Sequence, residues 1–307
     1  VGGATGMVGD PSGKSSERNL LDEKTLQHNL SAQKKQLEKF LNFDCGENSA
    51  LIVNNYDWFK EISFLSFIRD VGKHITVNYM MAKESVKKRI AGDEREGMSF
   101  TEFSYQLIQG YDFYHLWKHH GVKIQMGGSD QLGNIYTGTE LIRRKDGGDA
   151  WGLSTHLIKK ADGTKFGKTE SGNIWLDPKR TSPYDFYQFW LNAADLDTEN
   201  YIRIFTLKGK EEIEKLELEH QAEPHLRKLQ KTVAENITIR VHGQQALDAV
   251  LNVTEIFMSK DAVDRITVLD TQQFLGMLTD SGTASIAITK SEMDAGVGVV
   301  ELLTSHS

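Results

Sequence analysis

Along most of the chain, apolar positions recur every three or four residues, which predicts helices. Only three short apolar runs read as strands. The most strongly patterned stretch, Ser99 to Asn134, reads SFTEFSYQLIQGYDFYHLWKHHGVKIQMGGSDQLGN. Ser99 with Glu102 three residues on is a capping box, which sets a helix start. Phe103, Leu107, Ile108, Tyr111 and Phe113 ask for burial on both sides of that helix, while Tyr105, Gln109 and Asp112 share one polar face. After His119-His120-Gly121, the run VKIQM is a strand candidate, and Gly127-Gly128 turns the chain at its end. Asp130 and Gln131 then lie beyond the strand terminus, the edge where open α/β sheets place ligands.

The same pattern organises the rest. Residues 22–43 predict a helix with Leu26, Leu30, Leu37 and Leu41 on one side, and Ala50–Val53 a strand ended by Asn54-Asn55. Residues 56–96 carry a mixed helical pattern with apolar surfaces at Trp58–Phe67 and Val77–Met81. A helix at Ile135–Arg144 and a strand region at Ala150–Ile158 follow, then a basic, Gly-punctuated loop at Lys159–Asp177. From Ser182 the pattern is helical: Phe186, Phe189 and Trp190, then Ile202–Phe205, then a helix over 225–241 closed by Gly243. A last helix begins at Val297–Leu303.

Composition narrows the class. At 307 residues, 39% hydrophobic and 26% charged, the chain suits two globular domains. One cysteine, Cys45, excludes a disulfide framework and suits a reducing, cytoplasmic setting. No apolar run approaches the ~20 residues of a membrane span. The net charge of −7 means that a nucleic-acid partner must be met by local basic patches, for which Arg143-Arg144-Lys145, Lys159-Lys160 and Lys179-Arg180 are candidates.

Candidate chemistry is concentrated at three places. The opening VGGATGMVGDPSGKSSER reads as a Gly-rich turn that narrowly fails both the P-loop and the dinucleotide spacing. It leaves a carboxylate, Asp10, near two cations, Lys14 and Arg18, a set able to pair with an amine and with phosphate oxygens. The Tyr105, Gln109, Asp112 face is either solvated or a site, and a buried Asp112 would need a partner or a ligand. In KFGKT, Lys165 and Lys168 stand between glycines, a pattern suited to neutralising phosphate charge; a solvated hairpin is the other reading. The ten histidines form no metal-ligand motif, so no metal is expected.

Five blocks in order, GGATGMVGDPSGKSSER, NNYDWF, FTEFSYQLIQGYDF, GGSDQLGNI and ADGTKFGKTESG, closely resemble bacterial-type tyrosyl-tRNA synthetases from Val1 to about His242. The resemblance implies an α/β fold. A Rossmann-like class I catalytic domain spans 1–179, with a dimer-forming insertion at about 56–100 and a KMSKS-type loop at 159–177. An all-helical anticodon-binding domain follows at 180–280, then a linker and the start of an S4-like RNA-binding module at 281–307. It implies activation of tyrosine by ATP, with Mg²⁺ carried on the nucleotide, and transfer to tRNA(Tyr) by a cytoplasmic homodimer. Tryptophan–tRNA ligase and a non-catalytic RNA-binding protein on the same fold are the alternatives. By position, Asp10, Tyr105 and Gln109 match groups on the substrate amine, Asp112 the phenol contact, and Gln131 a residue near the amino-acid backbone. Gly128 and Asp130 match the ribose contacts, Lys14 and Arg18 the phosphate and tRNA end, and Lys165, Lys168 and Thr169 the KMSKS-type loop. Leu132 stands where the family commonly has tryptophan, and the HIGH-type motif is expected upstream of Val1, which would leave this stretch alone inactive.

Overall fold

The computed structural model describes residues 1–10, 22–84, 86–87, 98–163, 166–169, 172–259, 261–267, 274–275, 278, 288–296 and 298. Contacts divide the chain into two compact units, Val1–Lys159 and Lys160–Ser307. The division falls ahead of the basic loop, which therefore counts with the helical unit.

Unit 1 is built on one long helix. In chain order it contains α1 (Gly3–Val8), α2 (Glu23–Leu37), α3 (Tyr56–Phe59), α4 (Phe64–Asp70), α5 (Val77–Met81), α6 (Phe100–His120), β1 (Ile124–Gly128), α7 (Leu132–Asp146) and β2 (Trp151–Thr155). The capping box starts α6 as predicted: the Glu102 amide donates to Ser99 Oγ at 3.2 Å, and the Ser99 amide to Glu102 Oε2 at 3.1 Å. Gly121 ends the helix at φ +68°, a conformation that costs other residues more. α6 packs along α7, and the helices approach closely through Gly138, where an added Cβ would lie 2.7 Å from Phe113 Cδ1. Phe113, Leu141 and Ile142 are fully buried between them and join Val71, Ile75 and Met80 from the α4–α5 region.

Strands β1 and β2 pair in parallel, Ile124 opposite Trp151 through Gly128 opposite Thr155, with α7 as the crossover. This β-α-β unit is the repeating element of Rossmann-like sheets. Lys83, just after α5, donates its amine to the Gly133 carbonyl at 2.5 Å and to Thr137 Oγ1, tying the insertion to the first turn of α7. Burial pushes that amine down to about 7.

Three expectations for unit 1 are corrected. The opening glycines form helix α1, not a turn, because the side chains of Asn54 and Asn55 accept from the amides of Gly3 (3.1 Å) and Ala4 (2.7 Å). Two orphan amides at the helix start are thus capped from fifty residues away, which outweighs the poor helix propensity of glycine. Ala50–Val53 is no strand. No ladder includes it in the structure: Val1 N donates to the Val53 carbonyl at 2.6 Å and the Asn55 amide donates to the Val1 carbonyl at 3.1 Å. Helix α2 starts at its Asp22 cap but stops at Leu37, short of residue 43.

Unit 2 holds the hairpin β3 (Lys168–Thr169) and β4 (Gly172–Asn173), then α8 (Pro183–Leu191), α9 (Asp195–Phe205), α10 (Lys210–Ala222), α11 (Lys228–His242) and α12 (Gln244–Met258). Short α13 (Ala262–Thr267) and α14 (Lys290–Ala295) follow. α11 is central, packing on α8, α9, α10 and α12 around buried Phe186, Ile202, Leu229, Val233 and Val250. Its end at Gly243 matches the sequence expectation; the helix expected at Val297–Leu303 lies, but for Gly298, outside the described residues. No helix among the described residues is long and apolar enough to cross a membrane.

Candidate active site

Helix α6 carries its polar face into a pocket of about 210 Å³, lined by Tyr105, Gln109 and Asp112 with Thr5 of α1, Asn55, Trp58 of α3 and Gln125 of β1. The volume is below the ~300–1,000 Å³ of sites for drug-sized ligands and suits a single amino acid. The face therefore lines a pocket and is not a solvated surface.

The pocket is held by Asn55, itself buried. Its carbonyl oxygen takes the Ala4 amide at 2.7 Å, its amide nitrogen reaches Thr5 Oγ1 at 3.1 Å, and its side chain favours the charged form of Asp112. Among the described residues, Asp112 Oδ1 is buried without a hydrogen-bond partner, as are Gln125 Oε1 and Trp58 Nε1 on the same pocket. Burial pushes the Asp112 carboxyl up to about 6, against the opposing pull of Asn55. A buried acceptor left unpaired costs about 1–3 kcal/mol or more for a charged group, so a ligand that donates to Oδ1 recovers what folding spends. His115, one helical position beyond, stacks on Trp58 with centroids 4.4 Å apart and planes 8° from parallel. Burial lowers His115 to about 4, so the stack that backs the pocket is neutral at pH 7.

A second cluster forms at the carboxyl end of β1. Gln131 Nε2 donates to Asp10 Oδ2 at 2.6 Å, joining the chain after α1 to the turn before α7. Asp130 is exposed beside Gly128, with Gln131 Nε2 also 3.4 Å from its Oδ2. The structure thus gathers Tyr105, Gln109 and Asp112 in one pocket, and Asp10, Gly128, Asp130 and Gln131 in another group. Lys14, Arg18 and Lys165 lie outside the described residues; Lys168 and Thr169 form strand β3. Of the basic patches, Arg143 and Arg144 pair with Glu140, and Lys145 donates to the Asp70 carbonyl at 3.0 Å, so these cations have partners inside unit 1.

Sequence reasoning marked Asn54-Asn55 only as a strand end, and passed over Trp58 and Gln125 as site residues. An amide pair directly before an aromatic helix was the available signal for the first two. For Gln125, the signal was a polar residue inside an apolar strand.

Over residues 1–259 the chain matches the family described as tRNA synthetases class I (W and Y), and it belongs to that family. Its relatives are specific. It is 57% identical over 308 positions to a tyrosine–tRNA ligase of Bacteroides fragilis, spanning all of this chain and 71% of that protein. Identity is also 57%, over 304 positions, to the tyrosine–tRNA ligase of Porphyromonas gingivalis, spanning 99% of this chain and 70% of the relative. A C-terminally truncated mitochondrial tyrosyl-tRNA synthetase from Aspergillus nidulans has a similar structure, with TM-score 0.70 and 29% identity, over 84% of this chain and 75% of the other.

The raised Asp112 carboxyl makes stability depend on pH. Between the ordinary value of 3.8 and about 6, the native chain keeps a proton that the unfolded chain releases, so stability falls as pH rises through that window. Asp112→Asn removes this loss. In urea titrations it should gain about 3 kcal/mol over wild type at pH 8 and about 1 kcal/mol at pH 4.5. A gain that is the same at both values would contradict the buried-carboxyl account.

Proposed function

We propose that this chain is a tyrosine–tRNA ligase that uses ATP to activate tyrosine and charges tRNA(Tyr). The observation that carries the reading is the unpartnered, buried Asp112 oxygen in a pocket of amino-acid size. A phenolic hydroxyl donates to that oxygen. Phenylalanine leaves it empty; an indole N–H also donates, so the choice over the tryptophan ligase rests on the identity to tyrosine–tRNA ligases along the whole chain. The identity to tyrosine–tRNA ligases along the whole chain supports the same choice over a non-catalytic RNA-binding protein.

In this reading Tyr105, Gln109 and Asp10 hold the substrate α-ammonium and Gln131 lies near its backbone, while Gly128 and Asp130 take the ribose of ATP. Lys14, Arg18, Lys165, Lys168 and Thr169 meet the phosphates and the tRNA end, and Mg²⁺ arrives on the nucleotide. A tyrosine carboxylate oxygen attacks the α-phosphorus, the bond to the β-phosphate oxygen breaks, and pyrophosphate leaves with that electron pair. The terminal ribose hydroxyl then attacks the acyl carbon of tyrosyl-adenylate and AMP departs. The protein supplies positioning and charge stabilisation and makes no covalent bond of its own. Residues 180–280 take the anticodon, the C-terminal stretch belongs to an RNA-binding module, and the reaction runs in the cytoplasm, where an exposed, unpaired Cys45 is kept reduced.

The protein acts as a homodimer. Phe64 and Leu65 are 65% and 78% exposed, and Phe64 lines an apolar cleft with Phe59, Phe67, Val77, Met80, Phe100 and Leu107. An apolar surface of this kind on the insertion suits a second copy of the chain. Sedimentation of the full-length protein should give the mass of two chains, shifting to one on Phe64→Glu; a wild-type mass of one chain would contradict the dimer.

The direct test is tyrosine-dependent ATP–pyrophosphate exchange by the full-length protein carrying this sequence. Wild type should exchange with tyrosine and far less with phenylalanine, and Asp112→Asn should lower that preference by roughly 10- to 100-fold. Absence of wild-type exchange would sink the ligase reading, and an unchanged preference would remove Asp112 from the phenol contact.

A further inference from the structure

The lysine loop is tied to the helical unit at two points. At its entry, the Ala161 amide donates to Asp197 Oδ1 at 2.6 Å. Asp197 lies in the first turn of α9 and is only 8% exposed, so a buried carboxylate is committed to one loop amide. Further along, Phe166 sits among four rings, Phe189 and Trp190 of α8 and Tyr201 and Phe205 of α9, at centroid distances of 6.1, 5.6, 5.2 and 5.3 Å. It lies nearly parallel to Phe205, at 22°. Beyond Phe166, the Ile174 amide donates to the Gly167 carbonyl at 3.0 Å, and the β3–β4 hairpin begins.

The cage does not need Phe166 to hold together. Trp190 already meets Phe205 at 5.0 Å and Tyr201 at 5.7 Å, edge to face, in the geometry that aromatic pairs prefer. Phe166 is a plug set into a cluster that α8 and α9 build between themselves. In sequence, that plug stands directly between Lys165 and Gly167-Lys168. A glycine-punctuated loop has little packing of its own to hold a lysine in one place, and catalysis that rests on positioning is sensitive to displacements of about 1 Å. Anchors on a rigid helix pair supply what the loop lacks.

We infer that Asp197 and the aromatic cage around Phe166 are positioning elements for the phosphate-binding lysine loop, through which helices α8 and α9 fix where the chain enters and leaves it. Asp197 and Phe166 act on this reading through the loop they anchor, and not by contact with substrate. The inference rests on the reading of the chain as an ATP-using ligase and assigns a role in the activation step to residues of the helical unit.

The test uses the full-length protein with Phe166→Ala, Asp197→Ala and the conservative Phe166→Leu and Asp197→Asn. Steady-state exchange kinetics should show kcat/KM for ATP lowered by roughly 10- to 100-fold in both alanine variants. The KM for tyrosine should stay within about twofold, because only the loop has moved. Asp197→Asn keeps an acceptor oxygen and should recover most of the loss, and Phe166→Leu should lose less than Phe166→Ala. Hydrogen–deuterium exchange over residues 160–169 should quicken in the alanine variants. Folded variants with ATP kinetics within about twofold of wild type overturn the inference, as does an equal loss for tyrosine and ATP. A wild type without any exchange removes the ligase reading and this inference with it; an active wild type with unaffected variants removes this inference alone.

Discussion

The structure of unit 1 turns on keeping the Asp112 carboxylate out of water. A charged group in that position is costly unless something donates to it, and the chain provides only part of what is needed. Asn55 favours the charged form of Asp112 and, through the same side chain, caps and braces helix α1 at Ala4 and Thr5. Asp112 Oδ1 has no partner among the described residues, and the carboxyl answers by rising to about 6. On the proposed reading, burial of this kind is stability given up for recognition, with the missing donor supplied by a substrate hydroxyl. The same logic makes the nearby Trp58 and Gln125 intelligible as polar atoms waiting on a ligand.

The surroundings keep that pocket rigid. α6 is pinned at Ser99 and Gly121, and its apolar side locks against α7 through Gly138 and Phe113. α7 in turn follows directly on the Asp130–Gln131 turn, so packing between the two helices relates the amino-acid pocket to the group that gathers Asp10, Asp130 and Gln131. Lys83 adds a tie from the insertion to the same first turn of α7. In the helical unit, the comparable problem of holding a glycine-rich loop falls to Asp197 and four aromatic rings.

What the sequence disclosed and what it hid follow from the range of the interactions. The capping box of α6, the Gly121 and Gly243 stops, the Asp22 cap and the β1-α7-β2 order are local or periodic signals, and they could be read directly. The polar face of Tyr105, Gln109 and Asp112 was visible as a helical spacing. Helix α1 was not, because its caps come from Asn54 and Asn55, and no local pattern reports a cap fifty residues away. Ala50–Val53 has the composition of a strand, and its observed backbone bonds are those of Val53 and Asn55 to Val1. Asn55, Trp58 and Gln125 entered the site for the same reason: their importance lies in what folds against them. Phe166 read as one letter of a lysine motif, and only the cage shows that it is anchored.

If the Asp112 pocket recognises a phenol, binding must move a proton. At pH 6 the free carboxyl is about half protonated, and a hydroxyl that donates to it favours the charged form. Calorimetric titration of tyrosine into the full-length protein, repeated in buffers of different ionisation enthalpy, counts that proton. The account predicts release of about half a proton per tyrosine at pH 6, falling to near zero at pH 8 and absent in Asp112→Asn. Tyrosine binding at pH 6 with no proton release, or with release unchanged in Asp112→Asn, would contradict it.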